Sequence, residues 1–240
     1  MPNHSKSPEV LFEDNHLLVL NKPAGLATMG VPAGETSLLT VAKQYLALKY
    51  NKPGNVYLGV VSRLDAPVSG IVLFARTSKA ASRLSEAFRT RSVEKTYLAA
   101  VEGVPDAAQG TLEHYVRKDE RNQRMHTTHA DAPDAKIAQL SYECLSSNSQ
   151  SSPLPTSLLK VALGTGRKHQ IRVQLAKIGH PILGDKKYGS ESSFPEGIAL
   201  HASELQLEHP VRREPLEIKA NLPKYWRSDS RTRCCLAGFE

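Results

Sequence analysis

Cysteine is scarce, and Cys144, Cys234 and Cys235 have neither the even count nor the spacing of a disulfide framework, nor does a Cys-x-x-Cys pair suggest zinc. A secreted disulfide scaffold and a zinc ribbon are excluded, and a reducing compartment, the cytoplasm, is expected. No apolar run reaches the ~18 residues a membrane helix requires, and the opening MPNHSKSPEV has no apolar export core. No membrane partner is expected. Self-similarity of the solenoid kind is absent. The Gly-containing stretch Gly30 to Ser37 lacks the GxxxxGK[ST] spacing that cradles phosphates, so it argues against a nucleotide site.

What is present is positive charge on a chain long enough for a substantial core. Among 240 residues, 31 Lys and Arg face 24 Asp and Glu, a net charge of +7 that permits a polyanionic partner through counterion release. Glu9 to Asn21 carries two apolar runs split by Glu13, Asp14 and Asn15, the pattern of a hairpin. Leu38, Leu39, Ala42, Tyr45 and Leu46 recur at helical spacing after the capping candidates Glu35 to Ser37. A second helix begins at Ser78 with the stripe Ala80, Ala81, Leu84, Ala87 and Phe88. Strands are predicted over Val93 to Val104, Thr111 to Val116, Lys136 to Leu145, Leu158 to Leu163, Ile198 to Leu207 and Pro215 to Ile218.

Two connections stand out between these strands. Residues 117–135 hold Arg117, Lys118, Arg121 and Arg124, the densest positive cluster, which reads equally as a solvated tip or as an arm for a sugar-phosphate backbone. Residues 146–157 are Ser/Pro-rich and read as a flexible loop. A third helix, marked by Ile171, Leu175 and Ile178, follows Gly164-Thr165-Gly166. Its N-terminus gathers Arg167, Lys168 and Arg172 into a place suited to an anion, either RNA phosphate or Asp65 itself. About ten strands with three clear helices give an α+β fold on a largely antiparallel or mixed sheet.

The chemistry centres on Val60 to Thr77, VVSRLDAPVSGIVLFART. Val56 to Val61 and Ile71 to Ala75 read as strands, which leaves Asp65 on the loop between them, where a side chain is aimed without breaking a ladder. By itself an Asp there also suits a plain turn or an ion pair with Arg63. Five blocks in order decide the matter: VLFEDNHLLVLNKPAGL (10–26), SRLDAPVSGIVLFART (62–77), VEKTYLAAVEG (93–103), LGTGRKHQIRVQLAKIGHPILGDKKYG (163–189) and LHASELQLEHP (200–210). Together they resemble the RluA-type RNA pseudouridine synthases over roughly residues 10–220.

The resemblance implies a single catalytic domain of the pseudouridine synthase fold over residues 9–224, with polar tails at 1–8 and 225–240. No RNA-binding domain of the S4 type is expected ahead of it. Asp65 is implied as the nucleophile, Arg167 as the guanidinium that keeps it ionised, and Tyr97 as the ring packed on the target uracil. Arg63 is implied to brace the position a flipped uridine vacates, and Leu200 to lie beneath the base. Cofactor and metal are not required, because the atoms that leave and return belong to one molecule. Structured RNA, a transfer or ribosomal RNA, is the implied partner, and the chain is expected to act as a monomer with no obligatory protein partner. A non-catalytic RNA-binding or RNA-folding protein on the same scaffold is the alternative. Ser62 and Gln174 depart from the family, which usually has His at the first position and often at the second. His169 and His180 are assigned to structure.

Overall fold

A computed structural model of the chain describes residues 8–148 and 155–237. They divide into two compact units, each assembled from two separate stretches: residues up to Val93 with Ser203–Asn221, and Glu94–Ala202 with residues from Leu222 onward.

The chain enters the first unit as an antiparallel hairpin of β1 (Glu9–Glu13) and β2 (Leu17–Lys22). Asp14 closes its turn by accepting from the His16 and Leu17 amides at 2.8 and 2.7 Å, as short acidic side chains do. Helix α1 (Leu38–Lys49) starts where the Ser37 hydroxyl accepts from the Thr40 amide, and α2 (Ser78–Arg89) where Thr77 does the same for Ala80, each satisfying an orphan donor of the first turn. Between them, β3 (Gly59–Val60) and β2 pair with opposite edges of β4 (Ser69–Ala75). All of β4 is buried, which explains an apolar run without alternation. Leu18, Leu20, Val72 and Phe74 from these strands close on Leu38, Ala42 and Leu46 of α1, and Leu64, beside Asp65, packs at the margin of that core.

The second unit is a five-stranded antiparallel array. Its strands are β5 (Glu94–Glu102), β6 (Gln109–Asp119), β7 (Arg124–Thr128), β8 (Lys136–Asn148) and β9 (Thr156–Leu163), in the order β5-β9-β8-β6-β7. Helix α3 (Gln170–Lys177) lays Val173 on Val116, Met125 and Ala138 of this array. A 3-10 turn at Lys186–Tyr188 follows. Strand β10 (Leu200–Glu208) begins among the residues of the second unit and runs into those of the first, where it pairs with β11 (Pro215–Lys219). Two short helices, α4 (Lys224–Ser228) and α5 (Ser230–Ala237), belong again to the second.

The α+β class and the antiparallel pairing agree with expectation, and four local readings need correction. Only Gly59–Val60 of the strand predicted at Val56 to Val61 joins a ladder; Val56 and Leu58 are apolar because they fill the core, not because they pair. The predicted connection at 117–135 holds the end of β6 and all of β7, an antiparallel hairpin whose charged residues point outward around the buried Val116 and Met125. The predicted loop at 146–157 is shorter, since β8 runs through Asn148 and β9 starts at Thr156, while 149–154 lie outside the described residues. Residues 225–237, expected as a loose tail, form most of α4 and all of α5 because Thr232, Cys235 and Leu236 make a buried helical stripe beside fully buried Trp226. Residues 1–7 and 238–240 of the expected tails lie outside the described residues.

Trp226 packs edge to face on Phe194 with ring centroids 5.6 Å apart and is the only tryptophan of the chain. Trp226→Ala is expected to destabilise the protein by about 3–5 kcal/mol, seen as a lower urea midpoint in far-UV circular dichroism. A midpoint equal to that of the parent protein contradicts the docked helices.

Candidate active site

Asp65 stands on the loop between β3 and β4, partly buried, with Arg63 exposed two residues earlier. The backbone around it is closely tied. The Asp65 carbonyl accepts from the Val68 amide at 3.1 Å, closing a turn, and the Ala66 carbonyl accepts from the Gly25 amide at 2.8 Å. Gly25 has φ +84°, a conformation in which a side chain is strained. Ser62 places its Oγ where it accepts from the Leu73 amide at 2.9 Å, so the hydroxyl continues onto β4 the pairing that β3 leaves off.

Beneath this loop lies Lys22, the last residue of β2 and one past the hairpin predicted over Glu9 to Asn21. Its side chain is completely buried. Nζ donates to the carbonyls of Pro23 at 3.0 Å, Leu26 at 2.7 Å and Ala66 at 3.0 Å, one acceptor for each hydrogen of an ammonium. Burial pulls the Lys22 pKa down to about 7, and the negative charge of Asp65 acts in the opposite direction. A signal for it exists in the sequence. Alternation along β2 puts Lys22 on the same face as Leu18 and Leu20, which enter the core, and a lysine in an inward register needs a built-in set of acceptors.

The second unit carries Tyr97, Arg167 and Leu200. Tyr97 lies on β5 opposite Val161 of β9, and β9 leads into the turn that holds Arg167. That turn is held by the side-chain amide of Gln170 and the backbone of Gln139. The Gly164 and Thr165 amides both donate to the Gln139 carbonyl, at 3.0 and 3.1 Å, and Gln170 Nε2 donates to the same oxygen at 2.9 Å. Gln170 Oε1 accepts from the Thr165 hydroxyl at 2.7 Å and from the Arg167 amide at 2.9 Å. Arg167 Nε donates to the Ile137 carbonyl at 2.9 Å, which fixes the plane of its guanidinium. Leu200, at the start of β10, is buried.

Arg172, predicted to help form an anion site, is occupied otherwise. It makes a buried two-point pair with Asp185, Nε to Oδ2 at 2.6 Å and Nη2 to Oδ1 at 2.8 Å, and lies over the Tyr188 ring. His169 takes the left-handed conformation at the start of α3 with Nδ1 2.7 Å from the Tyr188 hydroxyl, and His180 Nδ1 is 2.9 Å from the Glu102 carbonyl; both are tied to structure as expected. Gln174 is fully buried and donates to the Ala138 carbonyl at 3.0 Å.

Residues 16–177 match the family described as RNA pseudouridylate synthase. The chain belongs to that family. The synthase is 34% identical over 226 residues to the uncharacterized RNA pseudouridine synthase YhcT of Bacillus subtilis (strain 168), covering 93% of this chain and 72% of that protein. It is 31% identical over 207 residues to the dual-specificity RNA pseudouridine synthase RluA of Vibrio vulnificus (strain CMCP6), covering 84% and 78%. The solved structure of human RNA pseudouridylate synthase domain containing 4 superposes with a TM-score of 0.74 at 25% identity, over 96% of this chain and 92% of that one. The synthase is therefore of the RluA type and an isomerase that makes pseudouridine in RNA, and the non-catalytic alternative gives way.

Lys22 yields two expectations. Folding lowers its pKa, so between about 7 and the ordinary value of 10.5 the unfolded chain holds a proton that the folded synthase has released, and stability rises with pH across that window. Lys22→Met should flatten the rise when urea midpoints are compared along a pH series. Asp65→Asn removes the influence that raises the Lys22 pKa, so the Lys22 Cε resonance should titrate at lower pH than in the parent protein. An unmoved midpoint means the carboxylate charge is not felt there.

Proposed function

We propose that the synthase isomerises a uridine extruded from structured RNA, a transfer or ribosomal RNA, with Asp65 as nucleophile. In this reading Tyr97 and Arg167 serve the same reaction, and Arg63 and Leu200 hold the substrate. The observation that carries it is the fixing of the Asp65 loop: a partly buried carboxylate whose neighbour Ala66 is bound to both the Gly25 amide and the buried Lys22 ammonium. Reactive groups need such support, since catalysis depends on a nucleophile already in place.

The reaction balances without an added reactant. The Asp65 carboxylate bonds to C1′ as the N1 to C1′ bond breaks, the uracil turns, C5 bonds to C1′ as the carboxylate leaves, the C5 proton is lost to solvent and N1 takes one up. One ionised carboxylate is sufficient because no water has to be activated, unlike glycoside hydrolysis with its pair of acids. A carboxylate covered by a base loses hydration and needs a cation to stay charged. The resemblance supports Arg167 for that duty, and the Ile137 carbonyl that orients its Nε is consistent with a guanidinium held ready. Tyrosine offers both a stacking face and a hydroxyl, the properties the resemblance asks of Tyr97. Extrusion of the uridine costs a few kcal/mol, which contacts from Arg63 and Leu200 are proposed to offset. The reading includes a monomer that acts in the cytoplasm without a cofactor.

Tritium release from RNA carrying 5-tritiated uridine tests the assignment. Asp65→Asn is expected to bring release to background while leaving RNA affinity near that of the parent protein. Arg167→Lys is expected to slow release roughly 100-fold and to change affinity much less; equal losses of both count against its assigned role. Pseudouridine mapping in cells with and without the protein distinguishes transfer from ribosomal RNA.

A further inference from the structure

We infer that two hydroxyls, Thr28 and Ser62, are positioning residues that hold the Asp65 loop where strand pairing is missing. The inference rests on Asp65 being the nucleophile. Between Val60 and Ser69 the loop has left the ladder, and backbone groups held off water still require partners. At Leu64, immediately before Asp65, one side chain supplies both. Thr28 Oγ1 accepts from the Leu64 amide at 3.1 Å and donates to the Leu64 carbonyl at 2.9 Å. A hydroxyl, donor and acceptor in one atom, is suited to this double role.

Thr28 is itself anchored. It is 3% exposed, and its carbonyl accepts from the Leu39 amide at 3.1 Å while that of Ala27 accepts from the Leu38 amide at 2.9 Å. The first turn of α1 thereby fixes Thr28, and Thr28 fixes Leu64, whose side chain also packs at the core margin. The Ser62 hydroxyl makes the second tie, accepting from the Leu73 amide on β4. Asp65 is thus flanked by pinned backbone, Leu64 on one side and Ala66 on the other. Thr28 and Ser62 therefore set the aim of the carboxylate without touching the substrate. Release of either tie permits shifts of the size that slow a positioned reaction by about two orders of magnitude.

Single-turnover tritium release at saturating enzyme, with total RNA labelled with 5-tritiated uridine in cells lacking the enzyme, tests this alongside filter-binding affinity. Thr28→Val, which keeps shape and loses both hydrogen bonds, should slow release roughly 10- to 100-fold with affinity changed less than about threefold. Thr28→Ser, which keeps the hydroxyl, should stay within roughly threefold of the parent rate. Ser62→Ala should slow release in the same direction, and it carries the test if Thr28→Val does not fold. Leu236→Ala, a destabilised variant of α5, should retain the parent rate below its melting temperature. Equal slowing in Thr28→Val and Thr28→Ser, loss that only follows the unfolded fraction, or parent rates in Thr28→Val and Ser62→Ala while Asp65→Asn is inactive would overturn the clamp. Activity in Asp65→Asn would overturn the nucleophile assignment and the clamp with it.

Discussion

The fully buried amine of Lys22 dictates the arrangement of the first unit. An ion in a protein interior carries an effective penalty of several kcal/mol unless acceptors surround it. Lys22 meets the condition with carbonyls from three places: its own successor Pro23, Leu26 at the far side of the Pro23–Leu26 turn, and Ala66 in the loop that carries Asp65. None of these oxygens can be withdrawn without leaving a buried polar group short of a partner, so the end of β2, the turn and the loop are tied through one amine. The Gly25 amide adds a bond to the same Ala66 carbonyl, which commits the turn to a backbone shape that glycine adopts without strain.

The second unit solves a similar problem with neutral groups. Gln139 and Gln170 are joined through the Thr165 hydroxyl and backbone amides into a closed set, and Arg167 enters through its own amide and Nε. Amides hold geometry there without adding charge, which leaves the guanidinium of Arg167 as the charged group of the turn's first step. A buried ion pair follows, Arg172 of α3 with Asp185, their side chains 6% and 1% exposed. Breaking such a pair by removing one member typically costs about 3–5 kcal/mol, so that contact serves the fold and is not available to a ligand.

The sequence showed much of this, for identifiable reasons. Periodicity put the start of α1 among Glu35 to Ser37 and that of α2 at Ser78, against observed caps at Ser37 and Thr77, and the blocks around Asp65 and Arg167 carry the family resemblance. Elements escaped where charge masked alternation, as in the β6–β7 hairpin with Val116 and Met125 as its inward residues, or where a helix was too short for its stripe to repeat, as in α5. Lys22 escaped because a charged residue at a strand end reads as a boundary, although its register pointed inward. Arg172 misled because basic residues at a helix start suggest an anion site, whereas its partner Asp185 lies 13 residues on, beyond any local pattern. Thr28 has no chemical motif around it, and only its contacts distinguish it.

The interleaved chain path bears on biosynthesis. Residues up to Val93 leave the ribosome well before Ser203–Asn221, which complete the same unit. At about 5–20 residues per second that interval lasts on the order of 5–20 seconds, during which β4 and α1 exist without β11. The second unit likewise waits for Trp226 and its helices. The first unit therefore closes only after Ser203–Asn221 has emerged and the second only after Leu222 and beyond, so neither folds from one uninterrupted stretch of nascent chain.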